Sequence, residues 1–255
     1  MKFGIRDGML RVPFDQVFSK AKDLGFDGVE VCLGGNYRDH LLFSEAGIER
    51  IQSLSDAAGC SVSSFSPGGF TEYSYLHPDD ERRQQGIGML NHLSRVAPQF
   101  GVRVILVPFF GGGAIPKDRV TDARLVDGVR RTADVAAKYG VTLAIESTLS
   151  AEDHLRLIEA AGSPAVGVYY DMGNATHIGY DSPNEIRALG GHIAQMHMKD
   201  VGGKHLGDGG VDFAAVGAAV KAIGYDGWLV LETPTGDDAS AANLRNLRFT
   251  QQLVA

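Results

Sequence analysis

The chain has 255 residues, 33 of them glycine, with 31 acidic against 24 basic side chains and a formal net charge of −7. At 44% hydrophobic and 22% charged residues it lies near the globular average, which excludes long disorder, collagen and coiled coil and leaves room for one large domain or two small ones. The acidic balance speaks against a broad nucleic-acid surface or an anionic membrane as partner.

Taken in chain order, the N-terminal Met1-Lys2-Phe3-Gly4-Ile5-Arg6-Asp7 carries charge where a signal peptide needs an apolar stretch. No apolar run approaches the about 18 residues of a membrane span, so a cytoplasmic protein is expected. Leu24-Gly25-Phe26-Asp27-Gly28-Val29-Glu30 is echoed by Ile223-Gly224-Tyr225-Asp226-Gly227-Trp228-Leu229, and Phe100-Gly101-Val102 by Tyr139-Gly140-Val141. In each an amphipathic stretch meets a glycine and a β-rich run begins, the pattern of a helix stopped by a left-handed residue before a strand. Strands are expected near 2–6, 28–32, 61–65, 102–107, 141–146, 165–171, 192–198 and 228–232. Helical spacing fills the gaps, as in Phe14, Val17, Phe18, Ala21 and Leu24, or Leu90, Leu93, Val96, Ala97 and Phe100. Runs such as Val104-Ile105-Leu106-Val107 are apolar on successive residues, as strands covered on both faces are. Eight strands alternating with helices predict an α/β fold, a single (β/α)8 TIM barrel over residues 1–255, rather than a Rossmann-like sheet, whose G-x-G-x-x-G fingerprint is missing after the first strand. Cys32 and Cys60 are too few for a disulfide framework and read as buried, inert thiols.

In such a barrel the chemistry sits at the C-terminal ends of the strands. Those ends carry Glu146 after Val141-Thr142-Leu143-Ala144-Ile145, Asp171 after Val168-Tyr169-Tyr170, His197 within Ala194-Gln195-Met196-His197-Met198, and Glu232 after Leu229-Val230-Leu231. One such carboxylate alone reads as a helix N-cap or an ion-pair partner, and one such histidine as a hydrogen-bonded core residue. Four on consecutive strand ends suit a shared divalent cation, which removes the cost of desolvating each carboxylate. Three carboxylates and an imidazole fit Mn²⁺ first, with Mg²⁺, Co²⁺ and Zn²⁺ as further candidates.

These residues, in the settings Ala144-Ile145-Glu146, Tyr170-Asp171-Met172-Gly173-Asn174, Met196-His197-Met198-Lys199-Asp200 and Leu231-Glu232-Thr233-Pro234, resemble the sugar phosphate isomerase/epimerase family of xylose-isomerase-like barrels. The resemblance implies a metal-bound ketose with Glu146 and Glu232 facing each other across the sugar. One glutamate removes the C3 proton to give a cis-enediolate and the other returns a proton to the opposite face. It also implies a small-molecule sugar or sugar phosphate as partner, with no nucleic acid and no membrane; a homo-oligomer is compatible with the chain.

Further substrate contacts are expected from Lys199, which alternates to the face of His197 and could instead pair with Glu232, and from Glu30 at the end of the second strand. His177 and His205 are expected in loops after the sixth and seventh strands. Phe109 and Phe110, before Gly111-Gly112-Gly113, are expected to form an apolar rim over the substrate. Tagatose/psicose 3-epimerases place a histidine three residues after the aspartate ligand and an arginine in the loop after the metal histidine. Here Asn174 stands at the first place, and Lys204 and His205 are nearest to the second. His197-Met198-Lys199-Asp200 and Leu206-Gly207-Asp208-Gly209-Gly210 look closer to the xylulose/ribulose 5-phosphate 3-epimerase branch, with a phosphate expected on the N–H groups of the 202–210 loop beside Lys204. A hydroxypyruvate-type isomerase or a keto-cyclitol (inosose) dehydratase uses the same carboxylate pair and is the alternative. An endonuclease IV-like nuclease is more remote, because its additional metal histidines are missing.

Overall fold

In the computed structural model, which describes residues 1–255, eight strands alternate with nine helices. They are β1 (Lys2–Arg6), α1 (Val17–Leu24), β2 (Gly28–Leu33), α2 (Glu45–Ala58), β3 (Ser61–Pro67), α3 (Asp80–Val96), β4 (Val104–Phe109), α4 (Ala123–Lys138), β5 (Thr142–Ser147), α5 (Ala151–Ala161), β6 (Val166–Asp171), α6 (Met172–Ile178), α7 (Ser182–Leu189), β7 (Ile193–Met198), α8 (Phe213–Ala222), β8 (Trp228–Leu231) and α9 (Ala239–Val254). The strands close in sequence order, β1 to β8 and back to β1, as a barrel, and the fold is the (β/α)8 TIM barrel that the alternation predicts. No helix is long and apolar enough to cross a membrane.

The helix stops work as expected. Gly25, Gly101, Gly140 and Gly224 have φ of 95°, 68°, 65° and 65°, the left-handed region that a side chain disfavours and that turns each helix end toward the next strand. Four strands end later than expected, β2 and β5 by one residue and β3 and β4 by two, at Pro67 and Phe109, while β8 stops at Leu231 and leaves Glu232 just beyond it.

Two compact units make up the chain: Met1–Val31 with Ser53–Ser63 and Tyr170–Ala255, and Cys32–Gln52 with Ser64–Tyr169. Within the first, β1 lies parallel between β2 and β8, with Gly4 level with Gly28 and Val230, and Arg6 level with Glu30. Its helix α1 buries Val17, Phe18 and Ala21, the face that the spacing marks out. Cys60 is buried here, and burial pushes its thiol up to about 11, which leaves it inert; Cys32 is half-buried.

Within the second unit, β4 and β5 pair over six residues, Val104 with Thr142 through Phe109 with Ser147. Phe109 is fully buried, with its ring 5.6 Å from Phe70 and 5.9 Å from Tyr75. It therefore fills the core rather than a substrate rim, because the longer β4 turns it inward. Phe110 follows the strand and is half-buried.

The turn after β5 is held by a buried imidazole. His154 Nδ1 donates to the Ser150 carbonyl at 3.0 Å, so the neutral ring accepts from Ser147 Oγ at Nε2, also at 3.0 Å. Ser147 Oγ in turn accepts the Leu149 amide at 3.1 Å. This network fixes residues 147–150 directly after Glu146. Burial lowers the His154 pKa to about 4, whereas the unfolded chain takes up a proton near pH 6.5. The native state therefore loses stability as the pH falls from about 6.5 toward 4, where only the unfolded state is protonated. Urea unfolding should show a contribution of about 2 kcal/mol lost between pH 7 and pH 5, and this increment should be absent from His154→Asn.

Candidate metal centre

Each of the four strand-end residues is delivered by a different local device. Glu146 is the penultimate residue of β5, buried and followed by the Ser147 turn. Asp171 ends β6 and caps α6, with Oδ1 accepting the Asn174 amide at 2.7 Å. The cap uses one oxygen, Oδ1, and leaves Oδ2 available to a ligand role. His197 is buried inside β7, and Glu232 follows β8, anchored by its amide donating to the Met198 carbonyl at 3.1 Å. Within the first unit, one ligand atom from each of Asp171, His197 and Glu232 lies within 4.8 Å of the other two.

The first unit contains most of the surrounding charge network. His197 Nε2 donates to Glu30 Oε1 at 3.0 Å, so its Nδ1 turns toward the carboxylates, 3.3 Å from Glu232 Oε2 and 3.9 Å from Asp171 Oδ2. A neutral imidazole with its proton on Nε2 has a lone pair on Nδ1. A lone pair facing carboxylate oxygens at that distance needs a proton or a cation between them. Glu30 is fully buried and also meets Arg6 Nε at 3.4 Å, while Arg6 Nη1 donates to Glu232 Oε1. Lys199 Nζ stands 3.4 Å from Glu232 Oε2 and 3.6 Å from Asp171 Oδ2. Burial pushes the Glu232 carboxyl up, but His197, Arg6 and Lys199 together hold it below its ordinary value.

Asp171, His197 and Glu232 offer two carboxylates and an imidazole among largely buried side chains, with Arg6 and Lys199 as the cations beside them. The donor set fits a metal of intermediate hardness by atom type.

The other expected contacts divide into two groups. Lys199 is at the cluster, in the ion pair with Glu232 that was its alternative reading. Glu30 accepts from His197 Nε2 and so orients a residue of the cluster, one of the two roles expected of it. Asn174 lends its backbone to the Asp171 cap. His205 is half-buried, with Nδ1 3.2 Å from Asn246 Nδ2, whereas His177 and Lys204 are exposed and make no hydrogen bond or ion pair with the cluster.

The 202–210 loop departs from expectation. Its N–H groups converge on the buried Asp200 carboxylate: Gly207 and Gly209 donate to Oδ2 at 3.0 and 2.9 Å, Val201 and Val211 to Oδ1 at 2.8 and 3.1 Å. A Cβ at Gly209 would collide with that carboxylate, so glycine is needed for the approach. An internal anion already fills the place foreseen for a phosphate. Arg6 went unforeseen, although its position at the end of β1 obeys the same strand-end rule.

The xylose isomerase-like TIM barrel family matches residues 18–252. The chain belongs to this family. An L-ribulose-5-phosphate 3-epimerase UlaE of Salmonella paratyphi C is 28% identical over 224 residues, 83% of this chain and 79% of the relative. Among solved structures, the 3-keto-D-glucoside 4-epimerase YcjR from E. coli superposes with a TM-score of 0.84 at 20% identity, covering 99% of both chains. A D-psicose 3-epimerase from Clostridium cellulolyticum H10 gives 0.82 at 21% identity over 100% of this chain and 99% of the other. At these identities the two structures establish the shared barrel.

Mn²⁺ added at about 100 times its Kd should stabilise the protein by about 2.7 kcal/mol by mass action. Asp171→Asn keeps a side chain able to cap α6 and should lose most of that response. Glu30→Gln, which weakens the acceptor behind His197, should lower Mn²⁺ affinity by about 10- to 100-fold in isothermal titration.

Proposed function

We propose that the chain is a divalent-metal-dependent ketose 3-epimerase, active on a ketose or ketose phosphate, working as one domain over residues 1–255 in the cytoplasm. The observation that carries this reading is the meeting of Glu232 with Asp171 and His197 in one cluster, with Glu146 at the end of β5 proposed as the second glutamate. Inversion at carbon needs a proton-transferring group for each face of the sugar, and an aldose–ketose isomerase needs only one. The UlaE relative is an L-ribulose-5-phosphate 3-epimerase, an activity of the same kind.

Glu146, Asp171, His197 and Glu232 would hold the cation, Mn²⁺ first by donor type, and it would supply Lewis-acid polarisation of the substrate carbonyl. The protein's own groups do the remaining work. One of Glu146 and Glu232 accepts the C3 proton; the C–H electron pair becomes the C2–C3 double bond of a cis-enediolate and the carbonyl oxygen takes the negative charge. The other glutamate takes up a proton from solvent and delivers it to the opposite face of C3, the carbonyl reforms, and the first glutamate releases its proton to solvent. Lys199 and Arg6 are fixed donors beside Glu232 that favour negative charge in the site. Asn174, His205 and Phe110 are proposed to border the substrate, with His177 and Lys204 further out.

Incubation with Mn²⁺ in D₂O should introduce deuterium at C3 of the epimerised ketose. Glu146→Gln and Glu232→Gln should each lower that exchange by about 10²- to 10⁴-fold. Label at C1 instead of C3 would indicate an isomerase, and no label in any ketose with Mn²⁺ bound would remove the enolisation chemistry altogether.

A further inference from the structure

Next to Glu232 in the first unit lies a cavity of about 260 Å³ whose walls include Met9, Arg11, Lys199, Pro234 and Thr235. Three loops form it, those after β1, β7 and β8. Arg11 is the only residue other than glycine with positive φ, 55° with ψ 36°. Left-handed backbone is costly for a side chain bearing a Cβ, and such strain persists where a function holds it. The Arg11 side chain is also aimed: Nε donates to Thr235 Oγ1 at 3.1 Å. Thr235 is buried, and no carboxylate pairs with the guanidinium. The two Nη groups, the fork that matches an oxyanion, have no protein partner.

The walls are held in place by α9. The buried Asn243 donates to the Met9 carbonyl at 2.8 Å, and the buried Asn246 donates to Thr233 Oγ1 at 2.9 Å and accepts the Leu206 amide at 3.1 Å. Barrels of this kind often bind phosphate at the loops after strands 7 and 8. Here the amides of Gly207 and Gly209 in the loop after β7 are occupied by Asp200, and Arg11 offers a side-chain donor in the same quarter.

We infer that Arg11, backed by Thr235, is the subsite for the phosphate of the substrate's unreacting end, which makes the substrate a ketose phosphate. This rests on the 3-epimerase reading for the position of the reacting carbons at Glu232. Thr235 lies three positions after Glu232, at most about 10 Å of chain, a reach that suits a short sugar tail running from the metal cluster to Arg11. The strain in the Arg11 backbone is then the cost of presenting the fork at the cavity mouth.

Arg11→Gly tests this without endangering the fold, since glycine adopts the same backbone freely. Its thermal midpoint should equal or exceed that of the wild type. The wild type should prefer L-ribulose 5-phosphate to L-ribulose in kcat/KM, and Arg11→Gly should reduce that preference by about 10- to 100-fold, as the loss of a charged hydrogen bond does, mainly through KM. Inorganic phosphate should bind the wild type in calorimetry and bind the variant more weakly by a similar factor. Equal use of the two sugars by the wild type, or an unchanged preference in the variant, overturns the subsite while leaving the epimerase intact. A ketose ending in a carboxylate that is used better than the phosphate assigns the fork to carboxylates and overturns it as a phosphate site. Arg11-dependent binding of inorganic phosphate without C3 exchange on any ketose supports the subsite and removes the epimerase reading instead.

Discussion

The Nδ1 lone pair of His197 facing the Glu232 and Asp171 carboxylates is the constraint around which the rest of the site is arranged. With Nε2 committed to Glu30, the ring cannot turn that lone pair away. Three like-charged or electron-rich groups held a few ångströms apart by rigid strands need a proton or a cation between them. Arg6 and Lys199 supply part of the positive charge from opposite sides of Glu232, but each also serves a second carboxylate. A mobile divalent ion can supply the remainder and be chemically active as well, which a buried lysine or arginine paired on two sides cannot.

The barrel sets this geometry before any loop does. Parallel strands in register place Arg6 level with Glu30 and His197 level with Val230, so charged residues at strand ends are brought together by the sheet's hydrogen bonds. What was legible in the amino-acid sequence follows from this. Glu146, Asp171, His197 and Glu232 interrupt apolar runs, and a polar residue at such a place is conspicuous. Arg6 escaped the same rule because β1 ends in Arg6-Asp7, charge beside charge, with no apolar run to make it stand out. The helix stops at Gly25, Gly101, Gly140 and Gly224 were legible because a left-handed residue is a local requirement.

The loops were read less well, for a different physical reason. Seen along the chain, Gly207-Asp208-Gly209-Gly210 is an exposed glycine-rich segment with free amides, the composition of an anion nest. Whether such amides are free depends on what folds beneath them, and Asp200 does. A carboxylate that accepts four backbone N–H groups gives the loop one shape at the expense of a ligand site. Phe109 was misplaced by the same dependence on context, since two additional residues of β4 carried it into the core.

Rigid loops also explain how strain at Arg11 is tolerated. A left-handed arginine in a mobile loop would relax into an ordinary turn. Asn243 and Asn246, both fully buried on α9, prevent this by tying down Met9, Thr233 and Leu206, one residue from each loop around the cavity. Asn246 is a suitable tie because its amide bonds as donor and acceptor together, and its desolvation is compensated only when the loops are in place. The last helix is thus more than a cover for the barrel: it couples the loops after β1, β7 and β8 into one wall, so the unreacting end of a substrate would meet a preformed surface while the reacting end meets the metal cluster.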